Sequence, residues 1–320
     1  ILMYFYICII ILLLYYYIYD FPTKQIIQDT GQIAIVSTIK EPHNLETWIR
    51  YHLNIGFGHI YLIFDDPNDY KNIKIADKFI NVSIFRNNQK WKNLLSYLPN
   101  FKQFGKTYYS TEVMSRQILN VDLIMILANK KNHKWLLHID SDELFYTNQN
   151  LHNLFNKYER YIVKFKNLEL APKKYNYKNC FKEGTLFKKN GYKFIAYANG
   201  KSATQTHKNC RTNGVHDFKT IPKTKIINEK LENACILHYV SCNFDEYFKK
   251  YKILGNFSDK WWGTKKIGIK FHTQSRDKIM FCNDELCKND ILQFYKKNYI
   301  ITDKDENENL IEIDINSLLV

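Results

Sequence analysis

Short apolar runs alternate along this chain with stretches in which apolar side chains recur at helical spacing. Residues 33–37 (IAIVS) and 59–64 (HIYLIF) have the pattern of strands buried on both faces. Between them, apolar residues over 45–53 recur at i, i+3, i+4, i+7 and i+8, which is the pattern of an amphipathic helix. This strand–helix–strand unit predicts two parallel strands joined by a right-handed crossover.

The same alternation continues through most of the chain. A weaker strand is predicted at 82–85, a long helix at about 111–129, a strand at 135–139 and a late helix that begins at Asn243. We find no internal repeat and no long linker, so residues 32–300 are predicted to form one domain. The order of elements predicts an α/β fold with a mixed, mainly parallel sheet flanked by helices.

The two ends of the chain differ from this domain. Residues 1–19 carry no charge, and at helical rise they span about 28 Å, close to the hydrocarbon core of a bilayer. They predict a single-pass transmembrane helix, followed by a short polar stalk at 20–31 and a domain in the Golgi or secretory lumen. A cleaved signal peptide or a buried helix is the alternative, although no small-residue cleavage site comes after the run. Residues 301–320 are predicted to be an acidic C-terminal tail.

The formal net charge of +14 indicates attraction to anions such as nucleotide diphosphates, or simply a lysine-rich composition. The lysines are scattered, no basic run is interleaved with aromatic residues, and no zinc-finger spacing occurs, so nucleic acid is not an expected partner. Six cysteines lie in the second half of the chain, which permits disulfides whose pairing the sequence leaves open.

Carboxylates come directly after two of the predicted strands. Asp65 and Asp66 end the strand at 59–64, and Asp140 and Asp142 lie just beyond the strand at 135–139. Open α/β sheets bind ligands outside the carboxyl ends of their strands, and two carboxylates at i and i+2 can face that crevice around a turn. Hard oxygen ligands suit Mg²⁺ or Mn²⁺, which bridge diphosphate oxygens. The alternative is a solvated acidic loop.

Four blocks of sequence succeed one another along the chain. The first two are IVSTIKEPHNLETWIRYHLNIGFGHIYLIFDD at 35–66 and SRQILNVDLIMILANKKNHKWLLHIDSDELF at 115–145, and shorter blocks lie at 200–216 and 237–255. In this order they resemble family 92-type glycosyltransferases, the domain of unknown function 23 group, and related family 2-like enzymes. The resemblance implies a Rossmann-like GT-A fold, a UDP- or GDP-sugar donor, a divalent ion and inversion at the anomeric carbon.

The resemblance also implies roles for the residues that match its metal motif. Asp140 and Asp142 would hold Mn²⁺ or Mg²⁺ together with the donor diphosphate. GT-A enzymes often add a late histidine, for which His216 and His238 compete. His216 is the preferred candidate because it lies in a glycine-rich polar stretch, whereas His238 lies within an apolar strand.

Four further residues are candidates for donor binding and catalysis. The resemblance implies that Asp65 bonds the nucleobase or ribose and that Glu41 shapes the nucleotide pocket. Glu41 is alternatively a carboxylate favoured by the dipole of the next helix. Lys201 is a candidate to neutralise a phosphate as a point charge, with a solvated lysine as the alternative. Asp217 is the candidate general base, from its place beside His216.

These features predict a membrane-anchored, metal-dependent hexosyltransferase that acts on a glycan or glycoprotein hydroxyl. Two other functions stay open. A phosphohydrolase or nuclease would use the same aspartates with further ligands, which are not evident in the sequence near Asp140. A membrane-tethered basic binding protein would bind its partner without needing Asp142, and this binding would weaken as the salt concentration rises.

Overall fold

A computed structural model describes residues 32–158, 161–207, 209–302 and 307–319. The predicted transmembrane helix at 1–19 and the stalk at 20–31 lie outside these described residues. Among the residues that are described, no helix is long and apolar enough to cross a membrane.

The described residues form sixteen strands in four sheets. In chain order these strands are β1 (Ile33–Ile39), β2 (His59–Phe64), β3 (Val82–Arg86), β4 (Trp135–His138), β5 (Glu143–Thr147), β6 (Ile162–Phe165), β7 (Asn167–Leu170), β8 (Leu186–Lys188), β9 (Lys201–Gln205), β10 (Cys210–Thr212), β11 (Phe218–Thr220), β12 (Ile227–Asn228), β13 (Ala234–His238), β14 (Lys260–Trp261), β15 (Lys265–Lys266) and β16 (Leu310–Glu312).

In the described part of the chain, ten α-helices lie between the strands. They are α1 (Leu45–Asn54), α2 (Tyr70–Ala76), α3 (Gln89–Leu95), α4 (Lys106–Tyr108), α5 (Val113–Lys130), α6 (Leu151–Asn156), α7 (Cys180–Glu183), α8 (Phe244–Leu254), α9 (Lys270–Met280) and α10 (Glu285–Tyr299). Of these, α1, α5 and α8 coincide with the three helices that the sequence predicts. A π-helical turn, Phe101–Gly105, precedes α4, and 3₁₀ turns lie at Asn307–Asn309 and Asn316–Leu318.

The largest sheet has the strand order β12-β6-β9-β4-β1-β2-β3, and β9 is the strand that runs against the others. This confirms the predicted mixed, mainly parallel sheet, an arrangement consistent with a GT-A-like fold. Strands β1, β2 and β4 are largely apolar because both of their faces are covered. In β1, Ile33 and Ile35 pack into one core cluster, and Ala34 and Val36 pack into a second cluster on the opposite face, which includes residues of α5.

A second sheet has the order β16-β8-β7-β13-β5. Strand β16 brings part of the predicted acidic tail into this sheet, where Ile311 lies opposite Phe187 of β8. Further along the tail, Ile313 and Ile315 are buried in the larger core cluster. This part of the C-terminal segment therefore packs against the domain.

Helix α1 holds the start of β5 through side-chain bonds to its backbone. Trp48 Nε1 donates to the Glu143 carbonyl at 2.6 Å, and Tyr51 Oη donates to the Phe145 carbonyl at 3.0 Å. His52 accepts the Phe145 N–H at Nε2 (3.2 Å) and contacts the Trp48 carbonyl through Nδ1 (2.9 Å). These buried contacts fix the point where the chain leaves β4 and enters the second sheet.

Disulfide bonds join Cys180 to Cys242 and Cys282 to Cys287, and Cys210 is a buried free thiol. The first bond ties α7 to the residue before Asn243, the N-cap of α8. The Asn243 side chain accepts the N–H groups of the first helical turn, as the sequence predicted. Helix α8 is thereby fixed beside the carboxyl end of β13.

Candidate active site

The chain passes from the first sheet to the second through Asp140-Ser141-Asp142, which links β4 to β5. The Glu143 N–H donates to the Asp140 carbonyl at 3.1 Å, and the Asp140 N–H donates to Glu143 Oε2 at 2.7 Å. This turn leaves the side chains of Asp140 and Asp142 27% and 35% exposed, whereas Glu143 is fully buried beneath them. Two carboxylates therefore face solvent at the carboxyl edge of the parallel strands, as the sequence predicted.

Lys201, the first residue of β9, is the buried counter-charge of this turn. Its Nζ lies 2.6 Å from Asp140 Oδ2 and 3.6 Å from Glu143 Oε2. Gln117 of α5 donates to the other Asp140 oxygen at 2.7 Å. Burial opposes ionisation of Asp140, but the ammonium of Lys201 outweighs it and the pKa of Asp140 is lowered. The lysine is held against the carboxylates and is not a solvated surface group.

Asp142 has its own cationic neighbours. His238 Nε2 lies 3.7 Å and Lys250 Nζ lies 3.9 Å from Asp142 Oδ2. Burial opposes ionisation of Asp142, but His238 and then Lys250 outweigh it, so the pKa of Asp142 is held well below its usual range. The pKa of His238 is raised because the Asp142 carboxylate more than offsets the effect of burial. The turn thus presents ionised oxygen ligands.

Glu143 is a buried polar residue of the site for which the sequence predicted no role. It lies opposite His238 in the pairing of β5 with β13. Burial raises its pKa to about 8, against the opposing effect of Lys201. Its Oε1 atom is buried and has no hydrogen-bond partner among the described residues.

The two candidate histidines contact the same tyrosine ring. Tyr197 is 4.3 Å from the His216 ring and 4.9 Å from the His238 ring, measured between centroids. His216 Nδ1 bonds to the Gly200 carbonyl at 3.0 Å, and burial lowers the pKa of His216 to about 3. The structure therefore places His238 next to Asp142. It places His216 beside the Gly200 carbonyl, with Lys201 and Asp140 as charged neighbours, although the sequence favoured His216 for the metal.

Alanine variants of the two histidines distinguish these positions. We expect His238→Ala to weaken Mn²⁺-dependent nucleotide binding by about tenfold, because Asp142 loses a neighbour that orients it. His216→Ala is expected to change that binding by less than about threefold. The measurement is nucleotide titration calorimetry at several Mn²⁺ concentrations. Wild-type metal dependence in both variants would exclude both histidines from the site.

The chemistry of the turn fits a divalent ion that is shared with a diphosphate. In the described part of the chain, no group of three or more His, Cys, Asp or Glu side chains is arranged to hold a metal by itself. Asp140 and Asp142 nevertheless supply two accessible ionised carboxylates. Mg²⁺ is commonly held by one or two carboxylates plus substrate phosphates, and this donor set fits that mode.

Asp65 is already engaged by another side chain. Arg116 of α5 donates through Nε to Oδ1 at 2.5 Å and through Nη2 to Oδ2 at 2.9 Å, and Asn87 contacts Oδ1 at 3.3 Å. The Asp65 side chain is only 4% exposed. The sequence predicted a contact with the nucleotide, and the structure adds a buried bidentate ion pair at this position.

Glu41 and Asp217 each lie in an ion pair with a lysine. Glu41 Oε2 lies 2.5 Å from Lys249 Nζ, at the edge of a cleft of about 720 Å³ between the N-terminal ends of α1 and α2. Asp217 Oδ1 lies 2.7 Å from Lys164 Nζ and accepts from Ser202 Oγ at 3.2 Å. Of the predicted residues, Asp140, Asp142 and Lys201 lie together at the turn. The roles of Glu41 and Asp217 stay predictions.

Comparison with known proteins gives modest similarity to glycosyltransferase-like sequences. The glycosyltransferase-like proteins At2g41451 and At3g57200 of Arabidopsis thaliana are 28% and 25% identical to this chain over 234 and 232 residues, or 62% of the chain. The matches cover 51% and 45% of those proteins, so the chain spans about half the length of the curated relatives it matches. No protein-family model matches the sequence, so membership of family 92 stays a prediction.

Two solved structures overlap parts of the chain. Mouse xyloside xylosyltransferase 1 in its apo form is 13% identical and covers 42% of this chain and 52% of its own, with a TM-score of 0.28. HddC from Yersinia pseudotuberculosis is 10% identical and covers 68% of this chain and 96% of its own, with a TM-score of 0.29. Overlaps this weak do not bear on function. The fold is a parallel-rich α/β fold, and the curated relatives support the class of glycosyltransferases.

Proposed function

We propose that this chain is a metal-dependent glycosyltransferase that moves a hexose from a UDP- or GDP-sugar to a hydroxyl of a glycan or glycoprotein. The observation that supports it most strongly is the Asp140-Ser141-Asp142 turn, with two ionised carboxylates at the carboxyl edge of the sheet. The names of the Arabidopsis relatives support the same class, and the activity of the whole protein remains part of the proposal.

The contacts of the turn and its neighbours suggest a separate role for each residue. Asp140 and Asp142 would hold Mn²⁺ or Mg²⁺, which offsets negative charge on the departing nucleoside diphosphate when it is bound. Lys201 and Gln117 fix the Asp140 carboxylate in one orientation. His238, whose Nε2 lies 3.7 Å from Asp142 Oδ2, places a cationic neighbour beside the Asp142 carboxylate. A carboxylate that is already oriented does not have to reorganise when charge develops on the leaving group.

An inverting transfer needs a general base for the acceptor hydroxyl, and Asp217 is proposed for this role. Its contacts with Lys164 and Ser202 are both made by Oδ1. The second oxygen, Oδ2, is therefore the atom proposed to take the proton. Inversion itself is part of the proposal, as implied by the resemblance to family 92-type enzymes.

We further propose a lumenal location with a membrane anchor in residues 1–19. The Cys180–Cys242 bond supports an oxidising compartment, because disulfides persist in the secretory pathway and are rare in the cytosol.

Asparagine variants of the turn test the proposed function. With the full chain and Mn²⁺, we expect Asp142→Asn and Asp140→Asn to lower sugar turnover from UDP- and GDP-sugars by at least about 100-fold, since a charge-bearing ligand is lost. Asp66→Asn is the matched control. The Asp66 side chain lies just beyond β2, accepts only the Asn68 N–H at 2.8 Å among the hydrogen bonds of the described residues, and its change should keep turnover within about twofold.

Two results would contradict the proposal. One is a wild-type protein that binds no nucleotide sugar when Mn²⁺ is present. The other is full turnover in both variants of the turn. Hydrolysis of phosphate esters without sugar transfer would instead identify the phosphohydrolase alternative.

A further inference from the structure

The sequence contains two Asn-x-Ser motifs that the candidate active site does not use. They are Asn81-Val82-Ser83 and Asn256-Phe257-Ser258, and neither has proline at its middle position. In a secreted or lumenal protein this motif is an acceptor for N-linked glycosylation. The sequence does not distinguish the two motifs, because both match the same pattern.

The second motif lies in an irregular segment just after α8, where its middle residue is anchored. The Phe257 ring stacks on His272, with 4.5 Å between ring centroids, and the Arg276 guanidinium lies 5.0 Å from the Phe257 centroid. The Phe257 carbonyl also accepts from Arg276 Nη1 at 2.6 Å. Asn256 and Ser258, on either side of this anchor, are both exposed. The fold therefore holds the middle of the motif and leaves its asparagine and serine in solvent.

The polar groups of the second motif are also free of the domain. Among the described residues, none forms a hydrogen bond with the Asn256 side chain. The Ser258 hydroxyl accepts the Lys260 N–H at 3.1 Å, which is a contact within the same short segment. A glycan is bulky and stays attached while the chain folds, so its asparagine has to lie in solvent in the folded protein. Asn256 meets this requirement.

The first motif, in contrast, is engaged by the sheet. Asn81 is exposed, but its Nδ2 donates to the Gly58 carbonyl at 3.0 Å. Ser83 lies within β3, opposite Tyr61 of β2, and its hydroxyl bonds to His59 Nε2 at 2.8 Å. A sugar on the Asn81 nitrogen would lie against the Gly58 backbone. The structure therefore separates two motifs that the sequence cannot.

We propose that Asn256 carries an N-linked glycan and that Asn81 stays unmodified. This inference goes beyond the sugar-transfer reaction and rests only on the proposed lumenal location. The Cys180–Cys242 bond supports that location, because disulfides persist in the compartments where N-glycosylation takes place.

The modification uses a lipid-linked oligosaccharide diphosphate, which the secretory pathway supplies together with its transferase. The Asn256 amide nitrogen forms a bond to C1 of the oligosaccharide. The bond between C1 and the diphosphate oxygen breaks, and the lipid diphosphate leaves with the bonding electrons. The amide nitrogen gives up one of its two protons, so Asn256 keeps a single N–H and no oxidant or reductant is needed.

Mass spectrometry of the full chain, expressed in a eukaryotic cell, tests this proposal. Trypsin places the two motifs on separate peptides, 79–86 and 253–260, because lysine or arginine flanks each of them. Peptide N-glycanase leaves aspartate where a glycosylated asparagine stood, so each peptide reports on its own site. We expect aspartate at position 256 and unchanged asparagine at position 81.

Variants of the two motifs supply matched controls. Asn256→Gln is expected to abolish the glycanase-sensitive shift of the chain in electrophoresis, and Asn81→Gln should keep the wild-type shift. Ser258→Ala should also lose the shift, whereas Ser258→Thr should keep it because threonine completes the same motif. The last two variants change the same side chain, so a difference between them follows the motif and not the folding of the variant.

The inference fails if the Asn256 peptide carries no glycan or if Asn81 carries one. The thiol state of Cys180 and Cys242 identifies the reason. An intact disulfide with unmodified Asn256 overturns this inference alone and leaves the lumenal location standing. Free thiols in an unmodified chain overturn the location together with the inference, whereas the sugar-transfer reaction is tested separately by the variants of Asp140 and Asp142.

Discussion

Replacing Lys201 with methionine is expected to abolish sugar turnover and to lower the free energy of unfolding by about 3 kcal/mol. The Lys201 ammonium is almost completely buried and lies 2.6 Å from Asp140 and 3.6 Å from Glu143. Its removal leaves the ionised Asp140 carboxylate without its main counter-charge. The cost lies at the lower end of the range for broken buried pairs, because Asp140 is 27% exposed and water can reach it.

Lys250→Met is the matched control for this prediction. Lys250 lies 3.9 Å from Asp142, but its side chain is 48% exposed, so its loss should cost less than about 1 kcal/mol. Urea denaturation gives the stability of each variant, and nucleotide-sugar turnover at a saturating Mn²⁺ concentration gives its activity. Wild-type stability in Lys201→Met would show that the ammonium does not balance the buried carboxylates.

Arg116→Met is expected to lower the free energy of unfolding by about 3–5 kcal/mol. Arg116 makes the bidentate pair with Asp65 and also donates through Nη1 to the Tyr109 carbonyl at 2.6 Å. The variant would bury an unpaired carboxylate and leave that carbonyl without this donor. The double variant Asp65→Asn/Arg116→Met should be more stable than the sum of the single effects predicts, because the two side chains share one interaction.

The exposed pair of Arg50 and Glu46 supplies a control with the same chemistry. Its atoms are 2.8 Å apart, but the two side chains are 52% and 38% exposed. Arg50→Met should therefore change stability by less than about 0.5 kcal/mol. Additive effects of the Asp65 and Arg116 substitutions would contradict the buried coupling.

The same variants separate two roles for Asp65. If its main partner is Arg116, Asp65→Asn should lower stability while the folded fraction keeps the affinity of the wild type for UDP or GDP. If Asp65 instead binds the nucleotide, as the sequence predicted, affinity should fall even where the protein is fully folded. Nucleotide titration of the folded variant distinguishes these results.

Local patterns were enough to predict strands β1 to β4 and the acidic turn. The strand at 59–64 coincides with β2, and the strand at 135–139 is β4 with one further residue. Both were predictable because a strand covered on two faces requires a continuous apolar run. The carboxylates at Asp140 and Asp142 stood out because they interrupt that run where a parallel strand ends.

The partners of these carboxylates could not be read from the sequence. Lys201 lies 61 positions from Asp140, and Arg116 lies 51 positions from Asp65. Nothing in the local pattern marked Lys201 as buried or Arg116 as part of the site. The choice between His216 and His238 depends on side-chain contacts between strands, which the sequence does not show. The apolar strand around His238 counted against it in the sequence, although His238 is the histidine next to Asp142.

The sequence by itself determined the α/β class, the parallel unit formed by β1 and β2, and the position of the acidic turn at the end of β4. These features depend on the periodicity of apolar residues and on the polar residues at the end of each strand, which are local properties. The tertiary structure alone decided which cation faces each carboxylate and how the C-terminal strand joins the second sheet. Those features depend on contacts between residues far apart in the chain, because packing and the pairing of buried charges bring them together.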